Sequence, residues 1–177
     1  GFERTGTYKM IKILLNGCLG RMGRAVTESV AEKSDNFTIT VGVDTAEGSA
    51  DFPIYPSLFG VREEFDVIVD FSHHSCTEAL LTFAIGAKKP IVLATTGHTE
   101  RETLAISRAA EFIPVFYSRN MSIGVNVIIE LARAATAALG EDFDVEIVEQ
   151  HHAKKLDAPS GTALMIAGAV GDVRSGQ

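Results

Sequence analysis

"MIKILLNGCLGRMGRAVTESVAEK" (residues 10–33) decides the fold. Its first eight residues are an almost continuous apolar run that stops at Gly17, the pattern of a strand buried on both faces. Residues 21–33 carry Met22, Val26 and Val30 at intervals of four, the apolar stripe of an amphipathic helix. Between them lies "GCLGRMG", with glycines at 17, 20 and 23. A glycine loop with a strand before it and a helix after it suits a dinucleotide. The glycines allow a tight turn and close approach of the backbone to a pyrophosphate, and the helix start supplies N–H groups and partial positive charge. The second glycine comes three residues after the first, a departure from the usual fingerprint, so an ordinary strand-to-helix turn is the alternative.

The pattern repeats outward from this unit. Residues 37–44, 65–72, 90–97 and 113–118 read as strands, and 76–89 and 99–112 as helices. Alternation with short connections specifies an α/β fold, a Rossmann-like doubly wound parallel sheet with helices on both faces. A sheet that binds no nucleotide gives the same alternation. The second strand ends in Asp44, about twenty residues past the loop, where a carboxylate accepts hydrogen bonds from a ribose 2′-OH and repels a 2′-phosphate. Asp44 therefore favours NADH over NADPH. Arg21 is the one nearby group able to reverse this, and a plain turn carboxylate is the bland reading. "ATTG" (94–97) and "SRNMS" (118–122) close later strands, at the edge where such sheets hold ligands.

Beyond Ser118 the style changes. Residues 121–139 read as a well-buried helix. Residues 142–152 read as a strand with Phe143, Val145 and Ile147 on one face, and a last helix runs from near Ser160 to about Val170. The boundary falls near Arg119. Residues 10–119 are then a dinucleotide-binding domain, and 120–177 a smaller, incomplete α+β domain for substrate binding and oligomerisation. Residues 1–9 read as a tag or a disordered lead.

The whole chain has 177 residues, 46% hydrophobic and 22% charged, with a net charge of −7. That predicts a packed core and argues against nucleic acid as a partner. No apolar run reaches the roughly 18 residues of a membrane helix, so no membrane partner is expected. Cys18 and Cys76 stand alone, which fits a reducing, cytoplasmic setting.

"EQHHAKKLDAPSGTALMIA" (149–167) gathers His151, His152 and Lys155 ahead of a Pro-Ser-Gly-Thr turn that opens a helix. Such a helix start receives a carboxylate or a phosphate, and the histidine and lysine offer a proton and a fixed cation beside it. Surface histidines, a solvated basic turn and a simple helix cap are the bland alternatives. The segment offers no carboxylate or thiol at ligand spacing, so no metal is expected.

This segment, with "NGCLGRMGRAV", "VIVDFS", "LATTG" and "RNMSIGVN", resembles the 4-hydroxy-tetrahydrodipicolinate reductase (dihydrodipicolinate reductase) family from Met10 to about Val170. The resemblance implies NAD(P)H-dependent reduction of a cyclic unsaturated dicarboxylate in the diaminopimelate and lysine pathway. It makes His151 and Lys155 the acid-base candidates, and His152, Gly161 and Thr162 the substrate-binding ones. The matching cofactor positions in the loop are Gly17, Cys18, Leu19, Gly20, Arg21 and Met22, joined by Asp44. At the later strand ends they are Ala94, Thr95, Thr96, Ser118, Arg119, Asn120 and Met121. Ala94 stands where the family has Gly. Family members also continue for some tens of residues past "GDVRSGQ", adding strands to the second sheet, a return helix and much of a homotetramer interface. A catalytically inactive nucleotide-binding module is therefore a second expectation. A different nicotinamide-dependent dehydrogenase is a third, and the "DAPSGTA" segment argues against it.

Overall fold

Six strands lie in one parallel sheet, in the order β3-β2-β1-β4-β5-β6. They are β1 (Ile11–Asn16), β2 (Phe37–Val43), β3 (Ile54–Tyr55), β4 (Val67–Asp70), β5 (Ile91–Leu93) and β6 (Val115–Tyr117). The computed structural model describes residues 9–33, 35–118, 120–151 and 158–176. The chain divides into two compact units, the first running to Tyr117 and the second starting at Ser118.

In the first unit, alternate residues of β1 feed two cores. Leu14 is fully buried with Val41, Ile68, Leu80, Ile91 and Ile106, beneath α2 (Thr77–Ala87) and α3 (Glu100–Ala109). Ile13 and Leu15 point the other way, toward Val26 and Val30 of α1 (Arg21–Glu32). A central parallel strand covered on both faces has to be apolar throughout, which is why residues 11–15 read as a run and not as an alternation. Met22 does not join the α1 stripe. It is 47% exposed, and Gly23 is the buried residue of that first turn. The stripe therefore begins at Val26.

Several elements depart from expectation. Strand β3 was not foreseen: it has two residues, set between Pro53 and Pro56 at the sheet edge, where proline is tolerated. Asp44 follows β2 instead of ending it. Helix α3 starts on a capping box made by Thr99 and Glu102. The Thr99 backbone N–H, the His74 ring and the Thr99 hydroxyl together pull the Glu102 carboxyl down to about 2. Its contribution to stability is complete above the ordinary carboxylate range and is lost as the pH falls toward that value.

The second unit pairs α4 (Ile123–Leu139) with α5 (Gly161–Ser175). Helix α4 is not well buried. Only Ile129 and Thr136 are, while Ile123, Val127, Ile128 and Leu131 are more than half exposed, because among the described elements α5 is the one that packs extensively along it. Residues 123–142 are long and apolar enough to cross a membrane by length and composition, although no such run was expected. Glu130 and Arg133 sit inside that stretch, and Arg133 pairs with Asp172 of α5 at 3.0 Å. Residues 143–150 form no strand. Phe143, Val145 and Ile147 alternate as expected but remain 40–53% exposed, since among the described residues no neighbouring strand supplies a ladder. Helix α5 extends past Val170 to Ser175.

Candidate functional site

In the first unit the carboxyl ends of β1, β4 and β5 converge on one carboxylate. Asp70 Oδ1 accepts hydrogen bonds from Asn16 Nδ2 and Ser72 Oγ, each at 2.7 Å, and Oδ2 accepts from Thr95 Oγ1 at 2.7 Å. Asp70 is 1% exposed, and Asn16 and Thr95 are buried beside it. Three strand ends are thereby fixed at the edge where a doubly wound sheet holds its ligand. Asp70→Ala removes the acceptor of these three side-chain donors and of the Ser72 N–H, and leaves a void. We expect a loss of about 2–4 kcal/mol in urea denaturation. A loss below about 1 kcal/mol would mean that water replaces the carboxylate without penalty.

The glycine loop is tied down by its own backbone. The Gly17 and Cys18 N–H groups donate to Val43 O at 2.8 and 3.3 Å, and Gly20 N–H donates to Gly17 O at 3.2 Å. Leu19 N–H donates to Asp44 Oδ2 at 2.9 Å, while Ala46 N–H donates to Asp44 Oδ1 at 3.0 Å. The loop thus turns four of its N–H groups inward. What it offers an anion is the first turn of α1, Arg21 to Gly23, where helix amides have no partner four residues back. Cys18 gives its thiol to the core. Burial and the Asp44 charge push that thiol up to about 11, so it is inert. A cleft of about 490 Å³ opens beside the loop, lined by Asn16, Gly17, Gly20, Asp44, Ser72 and Cys76 among others. Its size suits a small-molecule ligand. Along the 94–97 turn, Ala94 N–H donates to Asp70 O at 3.1 Å, Thr95 points inward to Asp70, and Thr96 is exposed next to Gly97, whose φ is +84°.

In the second unit, Asn120 and Thr162 come together. Asn120 Nδ2 donates to Thr162 Oγ1 at 2.8 Å, Asn120 Oδ1 accepts from Ser122 N–H at 2.8 Å, and Ser118 Oγ donates to Asn120 O at 2.8 Å. Met121 is 40% exposed. Ser160 caps α5 by accepting from Ala163 N–H at 3.1 Å, so Gly161 and Thr162 form the opening turn. His151 lies 3.3 Å, Nδ1 to Oε2, from Glu149, and the other Glu149 oxygen accepts Ser160 N–H at 2.7 Å. Arg119, His152 and Lys155 lie outside the described residues. Among the described residues, no three His, Cys, Asp or Glu side chains gather as a metal site.

Sequence reading missed Asn16, Asp70 and Glu149 as site-building residues. The available signal for Asp70 was a carboxylate ending an otherwise apolar run, "VIVD".

The chain matches two family models, "Dihydrodipicolinate reductase, N-terminus" over residues 11–121 and "Dihydrodipicolinate reductase, C-terminus" over residues 124–176. It is 46% identical over 164 residues to a 4-hydroxy-tetrahydrodipicolinate reductase of Caldanaerobacter subterraneus subsp. tengcongensis, covering 93% of this chain and 64% of the relative. A reductase of the same name from Akkermansia muciniphila is 44% identical over 158 residues, covering 89% of this chain and 60% of the relative. This chain therefore spans less than two thirds of the length of these relatives. Among solved structures, the dipicolinate-bound dihydrodipicolinate reductase from Paenisporosarcina sp. TG-14 superposes with a TM-score of 0.75 at 26% identity, over 96% of this chain and 68% of that one.

Proposed function

The chain belongs to the dihydrodipicolinate reductase family, and from that premise we propose that it takes part in NAD(P)H-dependent reduction of 4-hydroxy-tetrahydrodipicolinate to tetrahydrodipicolinate, a step of the diaminopimelate and lysine pathway. The observation that carries this reading is the second-unit turn, where the His151 imidazole and the start of α5 share one carboxylate. A proton donor is thus held beside amide hydrogens that suit a carboxylate. The dipicolinate bound to the Paenisporosarcina relative supports a small dicarboxylate as substrate.

His151 donates the proton that completes reduction, and the Gly161 and Thr162 turn grips a substrate carboxylate. His152 and Lys155, by family resemblance, add a second substrate contact and a fixed cation. The cofactor, when bound, supplies the hydride. The cleft beside the glycine loop suits it, with Asp44 in its wall for the ribose and the free amides of the first turn of α1 for the pyrophosphate; by family resemblance alone, Thr96, Ser118, Arg119, Asn120 and Met121 serve the nicotinamide side. The same reading carries a cytoplasmic setting and a homotetramer for the full-length protein.

NADH consumption with substrate made by a coupled synthase tests the proposal. Cofactor binding with no turnover would favour the inactive module instead.

Asp44 decides the cofactor preference. Both of its oxygens are fixed by backbone N–H groups, so it stands ready for a 2′-OH and against a 2′-phosphate. Asp44→Ser should weaken NADH by about tenfold, the size of one charge-assisted hydrogen bond, while NADPH holds or gains. Fluorescence titration with both cofactors reads this, and equal losses would remove Asp44 from the discrimination.

A further inference from the structure

Glu149 heads the histidine-rich segment. Both of its oxygens are engaged. Oε1 accepts the Ser160 N–H at 2.7 Å, and Oε2 lies 3.3 Å from His151 Nδ1. Ser160 is 5% exposed and caps α5 through its hydroxyl, so one end of the carboxylate is anchored to a buried helix start. The other end meets an imidazole whose side chain is 42% exposed. A neutral imidazole with a carboxylate at Nδ1 keeps its proton on that nitrogen and leaves Nε2 as the basic atom.

We propose that Glu149 is the positioning residue of the proton-transfer group: it holds His151 as the Nδ1–H tautomer and ties the ring to the opening turn of α5, so that Nε2 is the nitrogen that takes up and delivers the proton. This rests on the reading of His151 as the acid. Protonation at Nε2 yields an imidazolium whose Nδ1–H still points at the Glu149 carboxylate. Delivery of that proton to the substrate returns the neutral ring in the same tautomer, ready for another cycle. The carboxylate itself neither gains nor loses a proton.

Glutamine cannot replace it in this role. It has one acceptor oxygen for the two donors found among the described residues, and Ser160 N–H is the buried one. In Glu149→Gln the amide nitrogen turns to His151, Nδ1 must accept, and the ring proton moves to Nε2.

Long-range ¹H–¹⁵N spectra of the labelled chain, recorded with its histidines neutral and with His151 assigned through His151→Ala, identify the protonated nitrogen without any turnover. The expected result is Nδ1–H in the unsubstituted chain and Nε2–H in Glu149→Gln. Nε2–H in the unsubstituted chain overturns the proposal, and so does Nδ1–H in both. In the turnover assay, Glu149→Gln should lower kcat by about 10–100-fold, with KM changed less than about twofold. A raised KM with kcat unchanged overturns the positioning role. An unsubstituted chain that turns over nothing counts against the reaction assignment alone, and the tautomer then decides the role of Glu149.

Discussion

Gly23→Ala lowers stability by about 3 kcal/mol and weakens cofactor binding on the order of 100-fold, the upper range for overpacking that meets backbone and not side chain. A Cβ at this position would lie 2.2 Å from Gly17 O and 2.7 Å from the Cys18 backbone. Neither neighbour can give way. Gly17 holds φ at +78°, with its own Cβ position 2.7 Å from the Phe71 carbonyl, and the Gly17 and Cys18 N–H groups are bonded to Val43 O. The strain therefore has to move α1, the element whose first turn is proposed to receive the pyrophosphate. Urea denaturation and NADH fluorescence titration read the two losses. Gly86→Ala is the control: nothing lies within 4 Å of its Cβ position on α2, so alanine should be neutral or stabilise by about 0.5–1 kcal/mol. If Gly23→Ala behaves like Gly86→Ala, the loop is not the rigid cradle described.

His151→Ala should cost about 10²–10⁴-fold in kcat, the range for a positioned general acid, with NADH affinity within about twofold of the unsubstituted chain. The affinity should hold because the residues assigned to the pyrophosphate and the adenosine ribose are all in the first unit. Lys155→Ala removes the cation proposed, by family resemblance, to favour developing negative charge and should cost about 10²–10³-fold. Steady-state kinetics on the coupled substrate separates these outcomes. Unchanged turnover in both variants would strip the two residues of their roles.

The parallel sheet of the first unit was legible because its information is local. An apolar run, three glycines and a stripe at Val26 and Val30 sit within two dozen residues, and each is a consequence of burial or of backbone freedom at one place. What escaped was written across distance. Asp70 gains its meaning from Asn16 and Thr95, which are 54 and 25 positions away, and no window on the sequence holds all three. Glu149 stands inside its run, but one N–H it accepts belongs to Ser160, eleven positions on. Strand β3 carries too few residues for a period of two to show. In the second unit the alternation at Phe143, Val145 and Ile147 is genuine, yet a strand exists only where a neighbour completes its hydrogen bonds, and the described residues provide none. The apolar character of α4 likewise predicted burial, and burial needs a partner surface on more than one side.

Asp70 ties the strand ends together through uncharged groups. Every side chain that donates to it is neutral, and the carboxylate is sealed from solvent. Among the described residues no ion pair holds this junction for mobile ions to loosen, so the spacing of the strand ends should be the same in dilute buffer and in molar salt. The exposed Lys12–Glu64 pair on the same sheet enjoys no such immunity, since its attraction fades once the Debye length drops to a few ångströms.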